Sequence, residues 1–313
     1  EIIFTSGGSE ANNIAIKSLV EKQGVTTIIS SKIEHPSVLK IIEHLCNTSA
    51  VELKFVKLSK EGVVDLSHLE ELLENSTNVA VSLMHGNNEL GNLLPLQEVG
   101  DLCLQYNALF HCDTVQTVGH ELINLSQVNV HYISCSAHKI HGPKGVGFLY
   151  AKSGTKISAM ILGGGQERGY RAGTEDVSGI LALGSAFQIC KDDLLKNEEH
   201  IFGLKKFCEK QLRSTVKNVR FNGDSINVSL SSVLSVNLPS DMSLDAFLFS
   251  LDLEGVHVSG GSACASGSVR GSTVLSVIQK GIKGLNVRIS FSRFNTKEEV
   301  LIAVQAVAKL INK

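Results

Sequence analysis

The stretch HYISCSAHKIHGPKGVGFLYA, residues 131–151, decides how the rest of the chain is read. Two runs rich in β-branched and aromatic residues, HYISCSA and GFLYA, flank a polar turn that carries Lys139 behind His138 and closes on Gly-Pro-Lys-Gly. Such runs, bounded by glycine and proline, predict two strands, with the lysine at the mouth of the first. A solvated cation is the plain reading of a lysine there, so its meaning depends on what gathers at the ends of the other strands.

Working outward, the runs IIFT, TTIISS, LKFVKL, NVAVSLMH and ALFHCD precede this pair. Amphipathic segments separate them: the one opening at Pro95 places Val99, Leu102, Cys103 and Tyr106 at i, i+3, i+4 and i+7, a helical stripe. Strand and helix in alternation predict an α/β fold, a mostly parallel sheet flanked by helices, in which ligands bind beyond the carboxyl ends of the strands. After about Gly184 the texture changes to one long polar helix, a few strands and a closing helix. Thr296 and Glu299 have capping-box spacing at the start of that last helix. Two domains are expected, a large one over residues 1–190 and a smaller C-terminal α/β domain over 191–313.

Composition supports this frame. At 313 residues and 43% hydrophobic, the chain exceeds the size at which one core usually keeps growing. A net charge of -2 with scattered basic residues argues against nucleic acid as a partner. Apolar runs are broken before a membrane span's length and the N-terminus lacks a secretory signal, so a cytoplasmic protein with no membrane partner is expected. Seven cysteines without a CxxC pair argue for reduced thiols and against a zinc site or disulfide framework.

Chemistry-bearing residues cluster just after the predicted strands. Ser6, Gly7, Gly8 and Ser9 lead into a helix, where exposed N–H groups favour a phosphate, although an ordinary cap is the plainer reading. His35 precedes the helix that starts at Pro36 and could stack on a planar ring or cap the helix. Asp113 ends a strongly apolar run, where a carboxylate needs a cationic partner or a capping role. Asn88 and Gln116 offer neutral hydrogen bonds. Lys139, if withdrawn from water, becomes a nucleophilic amine able to form an imine. A phosphate cradle, a stacking ring, a carboxylate for a pyridine nitrogen and an amine are the parts that pyridoxal phosphate requires.

Cys264 stands apart from the other six cysteines, which lie in apolar patterns. It sits in VSGGSACASGSVRGS, a loop of small residues suited to an accessible thiolate, or simply a tight turn. Arg288 and Arg293, in NVRISFSRF, could grip a carboxylate or form structural ion pairs. The glycine-rich loop GGGQERGYRAGTED, with Gln166, Arg168, Arg171 and Thr174, suits an interface.

The motifs TSGGSEANN, EHPS, NNELG, HCDTVQ, SAHKIHGPKG, GGGQERGYRAGT, GSACAS and VRISFSRF, in that order over nearly the whole chain, resemble the pyridoxal-phosphate cysteine desulfurases of the iron-sulfur assembly type, within the class V aminotransferase group. The resemblance implies a fold type I enzyme in which Lys139 binds the cofactor, Asp113 pairs with its ring nitrogen and His35 stacks on the ring. Gly8, Ser9, Ser136 and His138 would contact the phosphate, and Asn88 and Gln116 the ring oxygen. Thr174 would reach the phosphate of a neighbouring subunit, implying a homodimer. Arg288, with Asn88, would hold the substrate, and Cys264 would accept sulfur from L-cysteine for delivery to an acceptor such as an iron-sulfur scaffold protein. No metal is implied. The family often has threonine where Ser9 stands, and it has a further N-terminal segment that this sequence, opening at Glu1 on the first strand, is expected to lack. A selenocysteine lyase, an aminotransferase and a non-catalytic binding module of the same fold are the alternatives.

Overall fold

The computed structural model describes residues 1–224, 229–260, 272–278 and 283–312. Its described residues fall into two compact units: residues 1–58, 64–86 and 94–194 make the first, and residues 59–63, 87–93 and 195–313 the second.

The first unit is built on seven strands: β1 (Ile2–Thr5), β2 (Thr27–Ser30), β3 (Glu52–Phe55), β4 (Val79–Ser82), β5 (Leu109–Asp113), β6 (Tyr132–Ser136) and β7 (Gly147–Ala151). Their order across the sheet is β1-β7-β6-β5-β4-β2-β3. All seven runs expected from sequence are strands. Only β7 runs against the others, pairing antiparallel with both β1 and β6. The connection from β6 to β7 is too short for a crossover helix, so the chain must turn straight back.

Between the strands lie α1 (Gly8–Glu21), α2 (Pro36–Thr48), α3 (Leu66–Glu74) and α4 (Leu96–Gln105). Alternation along the strands feeds two apolar layers. Ile28 and Ala80 join Ile14, Leu19, Val38 and Ile42 on one face, while Ile29, Val81, Phe110 and Cys112 join Leu69 and Val99 on the other. Each such side chain withdrawn from water contributes about 1.5–3 kcal/mol, which is why a sheet covered on both faces reads as unbroken apolar runs. Because Phe110 and Cys112 take one face, His111 and Asp113 are directed to the face that packs α1.

The long polar helix expected after Gly184 is two helices. α5 (Val177–Asp192) stops at Asp193, whose N–H bonds back to the carbonyl of Ile189 and whose φ/ψ of -106°/10° leaves the helical region. α6 (Leu194–Thr215) then begins anew.

The second unit holds β8 (Arg220–Phe221), β9 (Val233–Leu238), α7 (Leu244–Leu253), α8 (Thr273–Ile278), β10 (Leu285–Ser290) and α9 (Lys297–Ile311). Its three strands form an antiparallel sheet in the order β10-β9-β8. The capping box of α9 is present in full, and Val300, Val304 and Val307 are buried. In the same unit Lys205 is buried, and its Nζ donates to Ser229 Oγ and to the carbonyl of Leu230, both at 2.7 Å. Burial pushes its pKa down to about 8, with Lys206 adding to the effect and Glu209 and Glu198 opposing it.

Candidate active site

In the first unit β1, β2, β4, β5 and β6 deliver their carboxyl ends to one edge of the sheet. Asp113, the last residue of β5, is 95% withdrawn from solvent, and among the described residues its side-chain hydrogen bonds come from neutral groups. Neutral donors of the protein serve it. Asn12 Nδ2 reaches Oδ2 at 2.7 Å, while the Val115 N–H (3.0 Å) and Ser134 Oγ (3.3 Å) reach Oδ1.

Asn12 is the junction of a buried polar chain. Its Nδ2 also donates to Ser37 Oγ at 2.9 Å, and its Oδ1 lies 3.2 Å from His111 Nε2. On the other side of the ring, Ser82 Oγ lies 2.9 Å from His111 Nδ1. Burial pushes His111 down to about 4, against the opposing charge of Asp113, so the ring is neutral and works as a relay of hydrogen bonds. Neither Asn12 nor His111 was singled out from sequence. The available signal was position: His111 is two residues before Asp113, hence on the same face of the strand.

His35 fulfils the plainer of its two expectations while leaving the other open. It is the N-cap of α2, its Nδ1 accepting from the Ser37 N–H at 3.1 Å with Ser37 Oγ at 2.8 Å. With Nδ1 an acceptor, the ring proton sits on Nε2. Burial lowers its pKa, Asp113 opposes that shift and Lys139 reinforces it, so both charges act on this one ring.

Lys139 lies on a turn of 3-10 helix, Ala137–Ile140, directly after β6. The residue is exposed. Its main chain is pinned: the Ala137 N–H bonds Val146 O at 3.0 Å, the Gly142 N–H bonds Ala137 O at 2.8 Å, and His120 Nε2 lies 3.1 Å from Lys139 O.

The two parts of the expected phosphate cradle meet across β7. At the start of α1 the N-cap Gly7 provides no side-chain cap, so the first N–H groups of the helix have no side chain of their own cap over them. A Cβ on Gly8 would come within 2.4 Å of Val115 Cγ2, and one on Gly7 within 3.4 Å of Ser136 Oγ. Gly7 has φ 147°, a conformation suited to glycine. Ser136 is buried, with its Oγ 2.8 Å from His138 Nδ1; His138 is exposed, as is Ser9. Burial lowers the His138 pKa, helped by Lys139 and Lys144.

Gln116 is half-buried in the turn after β5, and Thr174 is exposed on the loop between β7 and α5. Asn88 and Arg288 belong to the second unit, where Arg288 donates from an Nη to the carbonyl of Asn88 at 2.6 Å. Arg288, on β10, also exchanges backbone hydrogen bonds with Ser259. Cys264 lies outside the described residues. The other six cysteines carry free thiols, five of them buried, and burial pushes Cys103, Cys135 and Cys208 up to about 12, an inert setting for a thiol.

This donor set fits pyridoxal phosphate. An uncapped helix start with glycines where the chain approaches closely suits a phosphate, a buried carboxylate bonded among the described residues by neutral groups suits a protonated ring nitrogen, and an amine stands on the neighbouring strand end. A mostly parallel sheet carrying these groups at one edge defines a fold type I pyridoxal-phosphate enzyme.

The aminotransferase class-V model matches residues 1–302, and the chain belongs to that family. It is 37% identical over 324 residues to cysteine desulfurase IscS of Dictyoglomus turgidum, covering 100% of this chain and 79% of that protein. It is 38% identical to putative cysteine desulfurase IscS 1 of Bacillus subtilis, covering 100% of this chain and 83% of that one. Among solved structures, a NifS-like protein superposes with a TM-score of 0.90 at 32% identity, over 100% of this chain and 82% of its own. Among the described residues no helix is long and apolar enough to cross a membrane.

Proposed function

We propose that this chain is a cytoplasmic, homodimeric cysteine desulfurase that converts L-cysteine to L-alanine and passes the sulfur, through a persulfide on Cys264, to an acceptor protein of iron-sulfur cluster assembly. The observation that carries the reading is Asp113: a buried carboxylate held by Asn12, Ser134 and the Val115 amide at the end of β5, with Lys139 on the next strand end. When bound, pyridoxal 5'-phosphate supplies an aldehyde that captures amines and a ring that accepts the electron pair left on a substrate's α-carbon.

Each residue then has a task. Asp113 would hold the proton on the ring nitrogen, and its three neutral donors fix the direction of its lone pairs. His35, pinned by Ser37, would lie against the ring face. Gly8, Ser9, Ser136 and His138 would hold the phosphate, joined by Thr174 of a second copy. Asn88 and Gln116 would bond the ring oxygen, and Arg288 would take the substrate carboxylate. Lys139 Nζ would bind the cofactor covalently and carry the α-proton during turnover. The Cys264 thiolate would attack the substrate sulfur; the new S–S bond forms as the substrate C–S bond breaks, and the departing carbon is protonated to give alanine.

The test is an absorption spectrum of the purified protein before and after L-cysteine, with alanine quantified. Cys264→Ala is expected to keep the chromophore and lose sulfide release with a thiol reductant. Retained release would remove the persulfide route, and a requirement for a keto acid would make the protein an aminotransferase. Activity on selenocysteine with none on cysteine would make it a selenocysteine lyase.

A further inference from the structure

A carboxylate sits where the proposed function places an anion. Glu10, in the first turn of α1, folds back so that Oε2 accepts from the Ser6 N–H at 2.7 Å, just ahead of the N-cap Gly7, which places its charge beside the open N–H groups of the helix start. A fixed negative charge at a helix N-terminus satisfies the macrodipole, but it opposes any second anion brought to the same turn. Glu10 is buried, so water screens it poorly.

The loop between β7 and α5 supplies the counter-charge. Arg171 Nε donates to Glu10 Oε1 at 2.9 Å, and an Nη lies 3.5 Å from Oε2. Burial raises the Glu10 pKa, but the Arg171 and Ser6 hydrogen bonds outweigh it and hold the carboxyl below the ordinary value. The loop is fastened to bring this guanidinium to its place. Glu167 and Arg168 both adopt left-handed backbone, φ 47° and 59°. They turn their side chains onto the outer edge of β1, Glu167 Oε2 accepting from the Phe4 N–H at 3.1 Å and Arg168 donating to the carbonyl of Ile2. Two non-glycine residues in this region cost free energy that the edge-strand bonds offset.

We propose that Arg171 is a positioning residue for the phosphate group: by pairing with Glu10 it cancels the charge in the first turn of α1 and lets a phosphate dianion be held on the open N–H groups of that turn. The inference rests on the function proposed above and adds to it a residue 161 positions along the chain from its partner.

The experiment uses the apo-protein titrated with pyridoxal 5'-phosphate and, separately, with pyridoxal, each followed by the absorbance of the bound chromophore. Arg171→Ala is expected to weaken pyridoxal 5'-phosphate binding by about tenfold or more through like-charge repulsion, and to leave pyridoxal within about twofold. Adding Glu10→Gln to Arg171→Ala removes the repelling charge and is expected to restore binding to within about threefold of the parent. If Arg171→Ala binds the phosphorylated ligand like the parent, loses both ligands in parallel, or is not rescued by Glu10→Gln, the inference is overturned while the functional reading stands. If the parent protein itself takes up no pyridoxal 5'-phosphate, the functional reading falls, and the inference with it.

Discussion

Asp113 at the end of β5 and Glu34 in the turn after β2 are equally buried, each 5% exposed, yet the protein partners them very differently. Both oxygens of Asp113 accept hydrogen bonds, from an amide side chain, a hydroxyl and a backbone N–H. Glu34 receives Ser31 Oγ at 2.7 Å on Oε1, while its buried Oε2 has no hydrogen-bond partner. Burial pushes the Glu34 pKa up to about 8, against the pull of Ser31 and the Met84 backbone, and with Asp113 adding to the rise. Equal burial therefore does not decide what a carboxyl becomes; the donors around it do. At neutral pH Glu34 holds a proton, while both oxygens of Asp113 are engaged as hydrogen-bond acceptors.

The strongest way to break this contrast is Asp113→Ala. It leaves three donors, two of them buried, without an acceptor, costing about 3 kcal/mol in chemical denaturation, and is expected to lower desulfurase turnover by about 10³-fold or more. A variant with near-normal turnover would show that the polar chain through Asn12 is structural only.

Glu34→Gln probes the other half. Because the folded pKa of about 8 lies above the ordinary 4.5, the folded protein keeps a proton that the unfolded chain releases, and stability falls as pH rises from 4.5 to 8, then levels. Glutamine cannot ionise. Denaturation at pH 5 and pH 8 is expected to find the two proteins similar at the lower pH and Glu34→Gln ahead by a few kcal/mol at the higher, about 1.4 kcal/mol per unit of pKa difference. An unchanged slope in the variant would assign the pH dependence elsewhere.

His35→Ala removes the acceptor for the Ser37 N–H at the start of α2 and is expected to cost about 1 kcal/mol. His35→Asn, which can cap, should recover stability but not the absorbance maximum of the bound chromophore if the ring lies against the cofactor. Recovery of both would reduce His35 to a cap. The smallest effect serves as the control: Thr296→Ala opens the capping box of α9, about 1 kcal/mol, and is expected to leave pyridoxal 5'-phosphate binding unchanged.

The parts of this site that sequence made legible are those whose position along a strand already carries meaning. Asp113 and Lys139 follow apolar runs, and His35 precedes a proline that starts a helix. Asn12 lay hidden because its role is to join Ser37, His111 and Asp113, the last 101 residues away, and its own surroundings in α1 look like any polar helix position. Glu34 was opaque for another reason: a carboxyl's proton depends on burial and on the donors missing from it, neither of which a linear motif records. The break at Asp193 was hidden by the uninterrupted polar composition on both sides. Lys139 was legible in place but not in environment, since it is exposed.

The pinned main chain around Lys139 sets a tempo. With the backbone from Ala137 to Val146 tied to the sheet and to itself, whatever Nζ grasps or releases must be reached by rotation about the four methylene groups of the side chain, motions of picoseconds to nanoseconds. No lid movement at this turn is needed for one amine to replace another, and deuterium uptake at the Gly142 amide should be the same with the ligand bound and absent.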